Sequence, residues 1–159
     1  MAGAVTGVQV IGIRGHVSFD AIVRHFAALG GEVVLLDPAK VCGKDHVRSA
    51  VLHADRAFAE GSNRSKTLLT EIILYTAGER QIGRALKEMR PAPDADAMVA
   101  VVLNVKGDLQ LEKLGVTRDD SLCDATKEKA KNLSMPLYPD VSVADAALEF
   151  VAGVDLLKQ

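Results

Sequence analysis

Tryptophan is absent from this sequence of 159 residues, which holds only two tyrosines and four phenylalanines. A surface that binds nucleic-acid bases chiefly by aromatic stacking is therefore not expected. The two cysteines, Cys42 and Cys123, are too few for a disulfide scaffold and favour a reduced setting. No apolar run approaches the ~20 residues of a membrane span, and no basic segment followed by an apolar one marks a secretory signal. We therefore expect a cytoplasmic protein with no membrane partner.

An excess of positive charge is also lacking, since 19 basic residues face 21 acidic ones. Any contact with nucleic acid must therefore come from a local basic patch. A hydrophobic fraction of 48% excludes a disordered chain. No linker rich in serine, glycine or proline divides the sequence, so we predict a single domain over residues 1–159. A domain of this length folds without disulfides or metal, and we expect no cofactor.

Three segments have the composition of strands: residues 4–13, 32–36 and 98–105. Between the first two lies a helix that begins after Ser18 and ends at glycines 30–31. The order strand, helix, strand predicts a parallel pair. The third segment is almost entirely apolar, which indicates burial on both faces.

Helical periodicity dominates between Asp45 and Met89, and it predicts three helices, of which the second covers about 64–77. This second helix is apolar around most of its circumference and should therefore be central. Capping boxes at 121–124 and 142–145 predict two further helices. The fold class that follows is α/β, with a small sheet of three or four strands covered by about six helices.

Motifs for catalysis or metal binding are weak. Cys42 and His46 have the spacing of half a metal site, but no further ligands are evident. The Gly12-x-x-Gly15 segment is similar to a nucleic-acid clamp, but it follows a strand and is interpreted as a turn. Sequence alone leaves a Cys–His catalytic pair open, although Cys123 is interpreted as a packed small hydrophobe. We expect no enzyme activity.

One segment is locally basic, because residues 56–90 contain seven basic and four acidic side chains. The basic ones are Arg56, Arg64, Lys66, Arg80, Arg84, Lys87 and Arg90. They form either a phosphate-binding cluster or a solvated charged face. Glu71 stands out in this segment as an acid among apolar residues. It either emerges beside Lys66 or Tyr75, or pairs with an arginine such as Arg80 and fixes a loop between helices.

Residues 63–86, NRSKTLLTEIILYTAGERQIGRAL, resemble the signature of the TPRKB family, the small non-catalytic subunit of the KEOPS (EKC) complex. The shared pattern is an Asn/Lys-Arg start, a Leu-x-x-Glu-aliphatic helix, a turn, and Arg-Gln-Ile-x-x-Ala-aliphatic. The helix before this run and the strand at 98–103 are also similar, and the chain resembles an archaeal-type member. It departs from the family at the turn 76–78 and at the helix exit 89–91.

The resemblance implies an accessory role in installing threonylcarbamoyl on adenosine 37 of tRNA, a transfer made by a separate transferase subunit. The implied partners are a kinase-like ATPase subunit of the Bud/PRPK type and the single-stranded 3′ CCA end of tRNA. The expected RNA contacts are Asn63, Arg64, Lys66, Arg80, Gln81, Ile82 and Arg84, with His53 and Arg56 as outer candidates.

The alternative is a purely protein-binding activator of the kinase-like subunit. Convergence of Arg64, Arg80 and Arg84 favours RNA binding, whereas a splayed arrangement favours the alternative. The kinase partner requires an apolar surface, either on the helices of the central hairpin or on the C-terminal helix.

Overall fold

The computed structural model describes residues 4–158 and contains one four-stranded sheet. Its strands in chain order are β1 (Val8–Arg14), β2 (Glu32–Leu36), β3 (Ala97–Leu103) and β4 (Thr117–Arg118). Their spatial order is β2-β3-β1-β4, and every neighbouring pair is antiparallel. The predicted α/β class is confirmed.

The predicted parallel pair is wrong, although β1 and β2 do run in the same direction. Each pairs antiparallel with β3, which lies between them, so that Val10 and Val34 both face Val101 across the ladders. The reason is burial: all but the first residue of β3 are buried, and a strand apolar on both faces takes the central position.

Six helices of at least six residues and one shorter helix cover the sheet within residues 4–158. They are α1 (Phe19–Ala28), α2 (Lys44–Glu60), α3 (Leu68–Thr76), α4 (Ile82–Met89), α5 (Lys127–Asn132), α6 (Val143–Ala152) and α7 (Val154–Leu157). Side-chain hydroxyls of Ser18, Thr67, Thr126 and Ser142 cap four of them. The predicted capping box at 121–124 instead forms a 3-10 turn, and Thr126 begins α5.

The two faces of the sheet carry separate cores. Helix α1 covers one face through Ile22 and Phe26, whereas α2 to α6 cover the other. Helix α3 contacts α2, α4, α6 and β2, which agrees with its predicted central position. It begins four residues later than predicted, so residues 61–67 form a loop that carries Asn63, Arg64 and Lys66.

Candidate functional site

The residues expected to contact RNA lie in two groups at opposite ends of α3. Asn63, Arg64 and Lys66 precede the helix in the 61–67 loop, whereas the group from Arg80 to Arg84 follows it. A nine-residue helix is about 13 Å long, so the two groups are splayed along it. His53 and Arg56 lie on α2 and belong with the first group through their contacts to α7.

Glu71 determines the shape of the 61–67 loop. Its fully buried carboxylate accepts hydrogen bonds from the backbone amides of Arg64 at 3.1 Å and Ser65 at 2.9 Å, and from the Ser65 hydroxyl at 2.8 Å. It also forms an ion pair with Lys158. Burial alone would raise the pKa of Glu71, but these donors outweigh burial and hold it below its usual range. The carboxylate therefore stays ionised inside the fold.

The expected pairing of Glu71 with Arg80 is wrong, because Arg80 is exposed at the far end of α3. The cation that pairs with Glu71 is Lys158, 87 residues along the chain. Glu71 does fix a loop between two helices, but this loop precedes α3 and is not the one that carries Arg80. Asn63 strengthens the same loop by donating to the carbonyl of Ser65 at 2.9 Å.

A polar network joins α2, α3 and α7 beside this loop. The Tyr75 hydroxyl donates to Asp155 and accepts from Lys158 Nζ at 2.9 Å. His53 Nδ1 lies 3.1 Å from Asp155 Oδ2 and 2.9 Å from Arg56 Nη2. Burial and then the Asp155 carboxylate raise the pKa of Tyr75, so the phenol stays protonated and continues to donate. The network lines a polar pocket of about 600 Å³.

The second group surrounds the beginning of α4. Glu79 accepts from the backbone amides of Arg80 at 3.0 Å and Gln81 at 3.2 Å, and so satisfies two donors before the helix. Its other oxygen lies 3.7 Å from Arg84 Nη1. Arg80, Gln81 and Arg84 are exposed, whereas Ile82 is half-buried. The described contacts leave the Arg80 guanidinium directed to solvent without an ion pair.

An apolar groove of about 490 Å³ opens two residues before Arg80. Its lining consists of Gly78, Ser134, Pro136, Tyr138, Ala146, Glu149, Phe150, Gly153 and Leu157. Gly78 has φ +65°, and a Cβ there would lie 2.2 Å from the Phe150 ring. Glycine is therefore required both by the turn and by the close approach of Phe150.

Sequence reasoning missed the Tyr138, Glu149 and Phe150 side of this groove. These residues come from segments about sixty residues or more beyond Gly78 and carry no motif of their own. The one available signal was the glycine that ends α3, which marks a close approach without naming what approaches.

A second feature is a cluster of exposed leucines on the last two helices, at one of the two places where the sequence predicted an apolar partner surface. Leu156 is 72% exposed, and Leu148 and Leu157 are also exposed. Leu52 extends this surface, because it lies one turn from Arg56 on α2, and Arg56 contacts Asp155 next to Leu156. Exposed apolar residues grouped on one surface mark protein-binding sites, so these leucines are a candidate for one.

The weak motifs have structural explanations. His46 accepts from the Cys42 backbone amide at 2.9 Å through Nδ1 and donates to the Thr76 carbonyl at 2.9 Å through Nε2, which occupies both nitrogens. Cys123 is buried and lines none of the five described pockets. Gly12 lies inside β1, where a Cβ would meet the Asp119 carbonyl at 2.0 Å, so it is needed for packing.

Within residues 4–158, no three histidine, cysteine, aspartate or glutamate side chains are grouped to hold a metal ion. No helix in that part of the chain has the length and apolarity needed to cross a membrane.

Comparison with known proteins identifies the family. Curated protein sequences gave no match. The family model described as kinase binding protein CGI-121 matches residues 21–139, which covers well over half of the chain and both ends of α3. This range contains the 63–86 signature, so the resemblance to the TPRKB proteins is confirmed. The chain therefore belongs to the CGI-121 family of kinase-binding proteins.

Proposed function

We propose that this chain is a cytoplasmic accessory subunit of a KEOPS-type complex for threonylcarbamoylation of adenosine 37 in tRNA. In this role it binds the kinase-like ATPase subunit and captures the single-stranded 3′ CCA end of tRNA. The transfer itself belongs to a separate transferase subunit, which this chain contacts only indirectly. Family membership supports the kinase partner, and the surface of the molecule supports both interactions.

The kinase-like subunit docks on the exposed leucines of α6 and α7. Leu156 on α7 and Leu52 on α2 are largely exposed, and Leu148 and Leu157 are exposed to a smaller extent. A specific interface needs about 800 Å² on each partner. Exposed leucines next to the charged pair Arg56 and Asp155 fit the combination of apolar core and polar rim that such an interface has.

The observation that carries RNA capture is the groove beside Arg80. Its floor of Gly78 and Phe150 accommodates a base, and Tyr138, which is more than half exposed, provides a stacking surface at the rim. Glu149 can accept a hydrogen bond from the exocyclic amino group that both cytosine and adenine carry. Arg80 and Arg84 follow Gly78 by two and six residues along the chain, and in this proposal they bind the phosphates of the captured strand beyond the groove.

The other expected RNA residues have smaller parts in this proposal. Gln81 is exposed and Ile82 is half-buried at the beginning of α4, and Lys66 is an exposed outer cation. Arg64 donates to the Lys158 carbonyl at 2.7 Å, and Arg56 contacts His53 and Asp155. Asn63, Arg64, His53 and Arg56 therefore serve mainly to hold α7 and the 61–67 loop.

A purely protein-binding activator is the second candidate, and two observations favour it. The arginines are splayed along α3 rather than convergent, and Arg84 is paired with Glu79. In this alternative the groove beside Gly78 accepts a side chain of the partner rather than a base.

Binding of labelled tRNA with and without its 3′ CCA end separates the two candidates. Arg80→Glu with Arg84→Glu should abolish binding of intact tRNA while leaving the fold and kinase binding unchanged. The matched control is Arg24→Glu with Lys113→Glu, which makes the same change in net charge at exposed positions away from the groove. RNA capture is refuted if trimmed tRNA binds as well as intact tRNA.

A further inference from the structure

Helix α7 is shared by three surfaces. Gly153, just before the helix, and Leu157 line the groove beside Gly78, whereas Asp155 and Lys158 line the polar pocket on the opposite side. Leu156 is 72% exposed and belongs to the exposed leucine surface. Any displacement of this short helix therefore changes all three surfaces together.

Polar contacts rather than helix propensity seat α7. It has four residues, and isolated helices shorter than about 12 residues are marginal in water. Val154 anchors its first turn in the core. At the other end, the Lys158 side chain is only 7% exposed and contacts Glu71, Tyr75 and the Ser62 carbonyl. Its ammonium also lies 4.4 Å from the centre of the Tyr75 ring.

The same lysine holds the 61–67 loop. Lys158 neutralises the Glu71 carboxylate that binds the loop amides, and its own carbonyl accepts from Arg64 Nη2 at 2.7 Å. Burying an ammonium and a carboxylate together is nearly balanced, because the lost hydration offsets most of the attraction. Because the pair itself contributes little net free energy, a partner that contacts α7 only in its seated position adds directly to the free energy of seating.

We infer that Lys158 is a positioning residue that seats α7 and thereby couples partner binding at Leu156 to the shape of the groove. This inference rests on the proposed function for the identity of the two ligands. A partner that binds the leucines of seated α7 favours the seated state and keeps Leu157 in the groove wall. Partner and RNA should therefore strengthen each other's binding by the same factor, as linkage requires.

Hydrogen exchange on the free chain tests the positioning role without any ligand. In Lys158→Met, the amides of Arg64, Ser65 and α7 should exchange at least tenfold faster, while the Val51 amide in the core of α2 stays protected. Lys158→Arg retains the charge and donors and should restore most of the protection. The control Lys131→Met removes an exposed lysine from α5 and should change nothing. Unchanged exchange at Arg64 and Ser65 in Lys158→Met would overturn the inference.

A buried carboxylate left without its cation is expected to destabilise the fold, so Lys158→Met could unfold for that reason alone. A second variant avoids this effect. Glu71→Gln with Lys158→Met removes both charges and leaves an amide oxygen to accept from the loop. If Lys158→Met unfolds globally, hydrogen exchange is measured on this double variant instead. The same loss of protection at α7 is expected there. Retained protection there would equally overturn the inference.

Coupling is measured as the ratio of RNA dissociation constants without and with saturating kinase-like subunit, using a single strand that ends in CCA. The wild-type ratio should be about five or more, the lower end of typical coupling, and the Glu71→Gln, Lys158→Met variant should give a ratio near one. A wild-type ratio of one, with both ligands bound, would overturn the coupling. Absence of RNA binding by the wild-type chain would count instead against the proposed function, and hydrogen exchange alone would then decide the role of Lys158.

Discussion

At the scale of single residues, burial keeps His46 neutral over a pH range in which a histidine ordinarily takes up a proton. His46 lies between the beginning of α2 and the end of α3 with both ring nitrogens bonded to backbone groups. Burial lowers the pKa of His46 from 6.5 to about 4. The neutral imidazole thus connects two elements, and protonation would break its bond from the Cys42 amide.

The first prediction concerns acid stability. Because the pKa of His46 is lower in the folded chain, the unfolded chain takes up the proton first as the pH falls below 6.5. The contribution of His46 to the free energy of unfolding should therefore decrease by roughly 2 kcal/mol between pH 6.5 and 4.5. Denaturant titrations across this range should show a shallower decrease for His46→Gln than for the control His16→Gln, which replaces an exposed histidine. Equal pH slopes in the two variants would contradict the prediction.

The second prediction concerns Gly78. An alanine there must adopt φ +65° and displace the Phe150 ring. The backbone strain alone should lower the free energy of unfolding by about 1–2 kcal/mol, and the groove should lose RNA binding. Gly83→Ala is the matched control, because no atom lies within 4 Å of its Cβ position, in the second residue of α4. It should stabilise the chain by about 0.5–1 kcal/mol.

At the scale of elements, α3 is the helix on which both ends of the site depend. Its neighbouring isoleucines differ, since Ile72 is fully buried whereas Ile73 is partly buried beside Leu35 and Leu86. The sequence pattern predicted both to point inward, because its apolar residues surround most of the helix. The packing of α3 against α2 on one side and the surface pocket on the other distinguishes them.

The third prediction uses this pair. Ile72→Ala should lower the free energy of unfolding by about 2–5 kcal/mol, as expected for a fully buried isoleucine. Ile73→Ala should have a clearly smaller effect, because water already reaches part of the side chain. Equilibrium denaturation of the two variants compares them directly, and equal losses would show that the assignment of buried and exposed sides of α3 is wrong.

The fourth prediction places the kinase partner on α6 and α7. Leu156→Asp should weaken binding of the kinase-like subunit at least tenfold, because a charge then enters an apolar interface. The free energy of unfolding should change by less than about 0.5 kcal/mol, as for other exposed positions. The control Val23→Asp alters an exposed apolar residue on α1, across the sheet, and should leave kinase binding intact. Equal weakening by both variants would refute the assigned surface.

At the scale of the whole molecule, a net charge of −2 limits how RNA can be held. An acidic body whose exposed arginines follow one end of α3 captures a short flexible end rather than a long duplex. The fifth prediction follows. A plot of the logarithm of the association constant against that of salt concentration should have a slope of about −1.4 to −2.8, equivalent to 2–4 phosphates on a single strand. A steeper slope would indicate docking of the tRNA duplex.

The sequence alone determined the features that depend on neighbouring residues. Caps at Ser18 and Ser142, the apolar run of β3 and the helical periodicity of α2 all act within one element, where spacing reports burial directly. The signature at 63–86 was likewise readable, because it is contiguous. These local patterns were enough for the α/β class and for the family.

The tertiary structure decided which distant groups meet. Strand β3 separates β1 from β2, Lys158 rather than Arg80 neutralises Glu71, and Phe150 closes over Gly78. A local pattern specifies that a side chain is buried, but it carries no information about which remote partner compensates the burial. The packed molecule determines the partner, because only the complete core decides where an ammonium, a ring or a strand edge comes within contact distance of the buried group.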